Sequence, residues 1–131
     1  MDAIGARRIA AIYGFLAVGL GAFGAHGLKE VLAGHGTTAI WQTAVLYHLV
    51  HAAVLWAVAA HEPFRRTPWC AFVAGITIFS GTLYILAVTG VRWLGAITPI
   101  GGVALLLGWL WLAIEPRSHG PHRGAPPGQK T

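Results

Sequence analysis

Charged residues divide this chain into four long uncharged stretches, residues 9–28, 31–61, 67–91 and 93–114, containing 20, 31, 25 and 22 residues. A helix rises about 1.5 Å per residue and needs roughly 20 apolar residues to cross about 30 Å of hydrocarbon, so each stretch is long enough for one crossing. The second is longer than one helix requires. Gly34, His35 and Gly36 interrupt it, and Thr37 or Thr38 offers an N-cap, which predicts a loop followed by a helix over 38–60. The third helix is expected to start near Pro68, whose missing N–H suits a first turn, and to stop at Gly90. The expected spans are therefore 9–28, 38–60, 68–90 and 93–114, within one transmembrane domain of residues 1–115. Residues 116–131 contain four Pro, three Gly and the pair His119 and His122, with too few apolar residues to pack, and are expected to form a disordered cytoplasmic tail.

Composition agrees with this division. Of the 131 residues, 56% are hydrophobic and 10% charged, and the mean hydropathy is +0.64, which excludes an ordinary water-soluble globule. The net charge of +5 would suggest nucleic acid if the basic residues shared one face. Four crossings instead put Arg7, Arg8, Arg65, Arg66, Arg117, Arg123 and Lys130 on one side of the membrane, and only Lys29 and Arg92 on the other. By the positive-inside rule both termini are cytoplasmic, and the basic character is topology. A cleaved signal peptide is the competing reading of Arg7, Arg8 and the first apolar stretch, but no small-residue cleavage site clearly ends it. Trp41, Trp69, Trp93 and Trp111 fall near expected span ends, as interfacial anchors do. The single cysteine, Cys70, rules out an intramolecular disulfide.

Within lipid, helices associate through close backbone approach and interhelical hydrogen bonds. Small residues mark such contacts. Ala17, Gly21 and Ala25 recur at four-residue spacing on the first helix, with Gly14, Gly19 and Gly24 nearby. Ala71 with Gly75 and Thr77 with Gly81 do so on the third, and Thr98 with Gly102, then Gly108, on the fourth. The expected fold is all-α, an antiparallel bundle of four transmembrane helices with short loops. Pro99 falls inside the fourth span, where it should kink or break the helix, with Thr98, Pro99 and Gly101 turned to the interior.

Polar residues inside the spans form the candidate site. With 100° per residue, Thr43, Tyr47, His51 and His48 share one face of the second helix, at about 0°, 40°, 80° and 140°. His48 lies roughly 15 Å from the outer end, near mid-membrane, and Ser80 reaches the same depth; Tyr84 and Thr98 sit roughly 8 to 9 Å deep. These residues predict a polar layer in the outer half of the bundle. Intramembrane histidines mark functional sites by default, yet neutral polar groups also serve as packing glue, and both readings stand. His26 falls at the outer interface, more than about 10 Å from the level of His48, which argues against two histidines holding one haem within the chain. The spans contain no Asp or Glu, so neither a catalytic carboxylate nor a metal site can be assembled. No cofactor and no enzymatic activity are expected.

Five ordered motifs carry a family likeness. Residues 21–28 (GAFGAHGL), 41–51 (WQTAVLYHLVH), 79–84 (FSGTLY), 97–102 (ITPIGG) and Gly108-Trp109 resemble the small bacterial membrane proteins of domain-of-unknown-function family 423, with its YgdD- and YwdK-type members and the related eukaryotic transmembrane protein 256. The resemblance implies a multi-pass protein of the bacterial inner membrane and implies no particular reaction. Two functions follow from the residues. The first is a non-enzymatic accessory or assembly subunit, whose partners are the bilayer, other membrane subunits or a second copy of itself. The alternative is a small channel, carrier or lipid- or quinone-binding protein that uses the polar layer.

Overall fold

The computed structural model describes residues 2–114 and is helical, with no strand among them. The tail expectation for 116–131 lies outside the described residues. Four helical segments are long and apolar enough to cross a membrane: Ala3–Ala25, Thr38–Ala60, Arg66–Thr89 and Arg92–Ile114.

The first helix, α1 (Ala3–Ala25), begins six residues before the expected span. The Asp2 carboxylate accepts from the Gly5 N–H at 2.9 Å. This side-chain cap starts the helix ahead of its apolar stretch, where a boundary drawn at Arg8 misses it. Arg7 then lies on α1 itself, donating through Nε to the Ala59 carbonyl at 3.2 Å and through Nη2 to Glu62 at 3.5 Å. The guanidinium thereby meets the carbonyl end of another helix, the favourable pole for a cation.

The expected loop around Gly34–Gly36 instead follows a short helix, α2 (Lys29–His35). Gly36 ends it at φ 65°, a left-handed conformation open to glycine at no steric cost, and the Thr37 N–H returns to the Leu32 carbonyl at 2.9 Å. Leu32 is fully buried and explains why this segment stays folded against the rest. The second crossing, α3 (Thr38–Ala60), has Thr37 at its N-cap position, but that hydroxyl donates to the Ala87 carbonyl of the next crossing at 2.6 Å instead of capping its own helix. The third, α4 (Arg66–Thr89), carries Pro68 in its first turn and ends at Gly90, φ 72°.

The fourth crossing is broken near Pro99, one of the two outcomes expected there. A 3-10 turn, Arg92–Ala96, precedes α5 (Thr98–Ile114), and Pro99 is the second residue of α5. In a first turn the missing N–H removes no helical bond, so Pro99 starts a helix rather than bending one. Its side chain is exposed, not interior. Thr98 and Gly101 are buried.

Packing is serial: α1 lies against α3, α3 against α4 and α4 against α5, while α1 and α5 make no close backbone approach. Two apolar clusters hold the row together. Ala6, Ala10, Leu55, Phe72, Ile76 and Leu105 contribute to one, toward the Arg7 end; Leu32, Trp41 and Ala87 form the other, toward α2. Trp41 and Trp69, expected as interfacial anchors, are core residues only 5% and 3% exposed, whereas Trp93 is exposed.

Glycine brings the helices together. A Cβ on Gly101 would collide with the Phe79 backbone nitrogen and lie 2.8 Å from its Cα; one on Gly108 would lie 2.9 Å from the Phe72 ring; and one on Gly24 would strike the Trp41 indole. Gly14, Gly19 and Gly81, from the expected stripes, face nothing within 4 Å.

Candidate functional site

The polar side chains of the spans lie between the two apolar clusters and divide into two groups. The first joins α1, α3 and α4. Ser80, buried, donates to the Ala44 carbonyl at 3.0 Å. His48 Nδ1 and the Tyr84 hydroxyl are 3.3 Å apart, and the Tyr84 ring packs on Trp41 with centroids 4.7 Å apart. His48 also meets the Tyr13 ring edge-on at 5.7 Å, and its Nε2 is buried without a partner. Tyr13 reaches Thr77 at 2.6 Å, and the Thr77 hydroxyl donates to the Val73 carbonyl at 2.7 Å, so Tyr13 is the donor between them.

The second group lies between α3 and α5. An indole N–H only donates, so the 3.2 Å contact between Trp109 Nε1 and His51 Nε2 makes that nitrogen an acceptor. The proton of neutral His51 is therefore on Nδ1, which donates to the Tyr47 carbonyl at 2.8 Å. Both ring nitrogens are occupied. Tyr47 packs on Phe79 with ring centroids 4.5 Å apart and planes tilted by 31°, and its hydroxyl has no hydrogen-bond partner among the described residues. Thr98 donates to Thr82 at 2.9 Å, since the Thr82 proton is held by the Ile78 carbonyl at 2.7 Å.

One layer of seven residues was expected, and the structure distributes them. His48, Ser80 and Tyr84 come together; His51 and Tyr47 stand apart on the α5 side; Thr98 pairs locally with Thr82. Thr43 belongs to neither group: it is exposed and returns its hydroxyl to Ala39 of its own helix at 3.0 Å. His26 is the exposed C-cap of α1, and its backbone N–H binds Ala22. Tyr13, Thr77, Thr82 and Trp109 were not among the expected site residues. Tyr13 had a signal, as the one hydroxyl-bearing residue of α1. No group of three His, Cys, Asp or Glu among the described residues has metal-binding geometry.

Beside the second group runs an open groove of about 670 Å³, lined by Tyr47, His51, Phe79, Pro99, Gly102 and Trp109 among others. Gly102 makes the space, for a Cβ there would meet nothing nearer than the Phe79 ring at 3.7 Å. The walls are apolar apart from the Tyr47 phenol and the paired His51 and Trp109.

No solved structure matches this chain. A family model described as "Protein of unknown function (DUF423)" matches residues 20–102. The UPF0382 membrane protein YwdK of Bacillus subtilis is 44% identical over 113 residues, 81% of this chain and 90% of its own length. A UPF0382 membrane protein of Staphylococcus saprophyticus is 42% identical over 110 residues, covering 81% and 91%. One from Schizosaccharomyces pombe is 35% identical over 114 residues, covering 82% and 97%. The matched region spans the end of α1 to the start of α5 and includes every residue of both polar groups except Tyr13 and Trp109. With four apolar helices and relatives of nearly the same length, this multi-pass membrane protein belongs to the DUF423 family of UPF0382 membrane proteins.

Proposed function

We propose that this protein is a non-enzymatic inner-membrane protein that holds one amphipathic apolar molecule, of the isoprenoid-quinone or lipid class, in the groove between α3 and α5. The observation that carries this reading is the Tyr47 hydroxyl, a strong donor that lines the groove with no acceptor among the described residues. Tyr47 is nine residues into α3, roughly 13 Å from its start, a depth where no water is at hand to satisfy it. An unpaired hydroxyl in hydrocarbon is unfavourable by about 1–3 kcal/mol, and a carbonyl oxygen on a bound molecule would satisfy it. The polar groups beside it, His51 and Trp109, are already paired.

This reading takes the four crossings as antiparallel with both termini cytoplasmic. Two contacts support the alternation: Arg7, early in α1, reaches Ala59, late in α3, and Thr37, before α3, reaches Ala87, late in α4. The arginines at the α1 start and the α3–α4 loop then share one side, as the positive-inside rule favours.

Organic extraction of the purified protein followed by mass spectrometry tests the function. A single amphipathic species enriched over bulk lipid is expected, retained less by Tyr47→Phe and lost in Gly102→Leu, whose side chain fills the groove with the fold intact. Equal content in wild type and Gly102→Leu would refute the reading.

A second reading, an accessory or assembly subunit, is favoured by the open side of the helix row. Phe15 on α1 and Leu106 on α5 are 78% and 68% exposed, and their helices do not pack on each other. Photo-crosslinking from these two positions in intact membranes would capture a protein partner if this reading holds, and lipid alone if it does not.

A further inference from the structure

A second groove, of about 510 Å³, opens between α1, α2 and the first half of α3, separated from the Tyr47 groove by Leu46, which lines both. Its lining includes Gly21, Ala25, Lys29, Thr38, Gln42 and Leu49. Glycine and alanine leave the trough empty on the α1 side. A Cβ at Gly21 would already approach Val45 to 3.2 Å, and Trp41 forms the floor, its indole N–H held by the Leu20 carbonyl at 3.2 Å.

The polarity of this groove runs one way. Lys29, Thr38 and Gln42 lie at the α2 end; beyond them the lining is Val45, Leu46 and Leu49. From Thr38 to Leu49 is eleven residues of helix, a rise of roughly 16 Å, close to half of the roughly 30 Å hydrocarbon thickness. The trough therefore matches a single leaflet in length, with its cation at the headgroup level. Lys29 has no ion-pair or hydrogen-bond partner among the described residues. No carboxylate lines the groove, and neighbouring Glu30 is outside it.

We propose that this groove seats an anionic diacyl phospholipid of the leaflet on the α2 side, with its phosphate at the Lys29 ammonium and one acyl chain along Gly21, Ala25, Leu46 and Leu49. Charge and length each select this occupant. A free phosphate would leave the apolar length empty. Thr38 and, one turn deeper, Gln42 line the same end of the groove and can donate to headgroup oxygens.

The test is native mass spectrometry of the full chain in mild detergent, titrated with phosphatidylglycerol, phosphatidylcholine or inorganic phosphate. Phosphatidylglycerol should bind about fivefold more tightly than phosphatidylcholine, the effect of one lysine at a membrane surface. Inorganic phosphate should neither bind nor compete. Lys29→Gln should remove the preference but keep residual binding of both lipids, and Ala25→Leu should weaken both by filling the acyl track. Both substitutions are at exposed positions, and an unchanged melting temperature verifies that each variant is folded. Gly102→Leu, which fills the other groove, should leave the preference intact. The proposal is overturned if the two lipids bind equally, if phosphate alone competes, if Lys29→Gln retains the preference, or if Gly102→Leu abolishes it.

Discussion

Two adjacent glycines on α5 offer a controlled test of how this protein is packed. Gly101→Ala adds a methyl that would collide with the Phe79 nitrogen and lie 2.8 and 2.9 Å from its Cα and Cβ. Backbone has no rotamer to move, so α4 and α5 must separate or shift. Gly102→Ala, one residue on, places the same methyl against the Phe79 ring at 3.7 Å, an ordinary contact. Both changes occur inside one helix and carry the same gain in helix propensity, so that contribution cancels in the comparison. What remains is overpacking, typically 1–3 kcal/mol. Gly101→Ala should therefore be less stable than Gly102→Ala by about 2 kcal/mol, with Gly102→Ala at or slightly above wild type. Reversible unfolding in mixed micelles, followed by far-ultraviolet circular dichroism, measures both. Two variants within about 0.5 kcal/mol of each other, less than the smallest overpacking effect expected, would show that α4 and α5 do not meet through Gly101.

Three further outcomes are expected. Trp109→Phe removes the donor to His51 Nε2 and should destabilise the protein by about 1 kcal/mol, while nitrogen-15 NMR of the wild type should find the His51 proton on Nδ1. Thr37→Val should lose about 1 kcal/mol because the buried hydroxyl bonds Ala87 across helices, and Thr37→Ser should retain most of it. Glu62→Gln should change stability by less than about 0.5 kcal/mol, since the Glu62 side chain is 79% exposed; Arg7→Leu, which also frees the Ala59 carbonyl, should have the larger effect in the same unfolding assay.

The long apolar stretches were legible because crossing a bilayer needs a minimum run of uncharged residues, and four such runs are plain in the chain. The details that failed depend on partners a run length does not contain. The start of α1 is set by Asp2, a cap lying before the charges used to mark its boundary. The stretch before Thr38 reads as a loop because Gly34, His35 and Gly36 interrupt it, yet Leu32 finds a buried seat against Trp41 and Ala87, and that burial makes a helix of residues 29–35. Pro99 was read as lying inside the fourth span, kinking or breaking it; the chain leaves a 3-10 turn before it, so the span is broken and proline takes a first-turn position. Trp41 and Trp69 stand at the right sequence distance for interfacial anchors, but glycine at position 24 opens a pocket that draws Trp41 inside.

The same distinction separates the histidines. Helical periodicity places His48 and His51 only about 60° apart on α3, which supports one shared layer. Because α3 sits between α1 and α4, and α5 reaches it through side chains such as Trp109, 60° is enough to give the two rings different neighbours. His48 packs against Tyr13 and Tyr84, and His51 against Trp109. Sequence spacing yields the angle, but which angle faces which helix follows from serial packing, and that depends on where glycine permits approach. His51 is thereby committed: with Nδ1 donating to Tyr47 and Nε2 accepting from Trp109, it shapes the groove wall and has no nitrogen left for a ligand. The hydroxyl it helps position, on Tyr47, is the group left open, and the chemistry of the α3–α5 groove follows from that phenol rather than from either histidine.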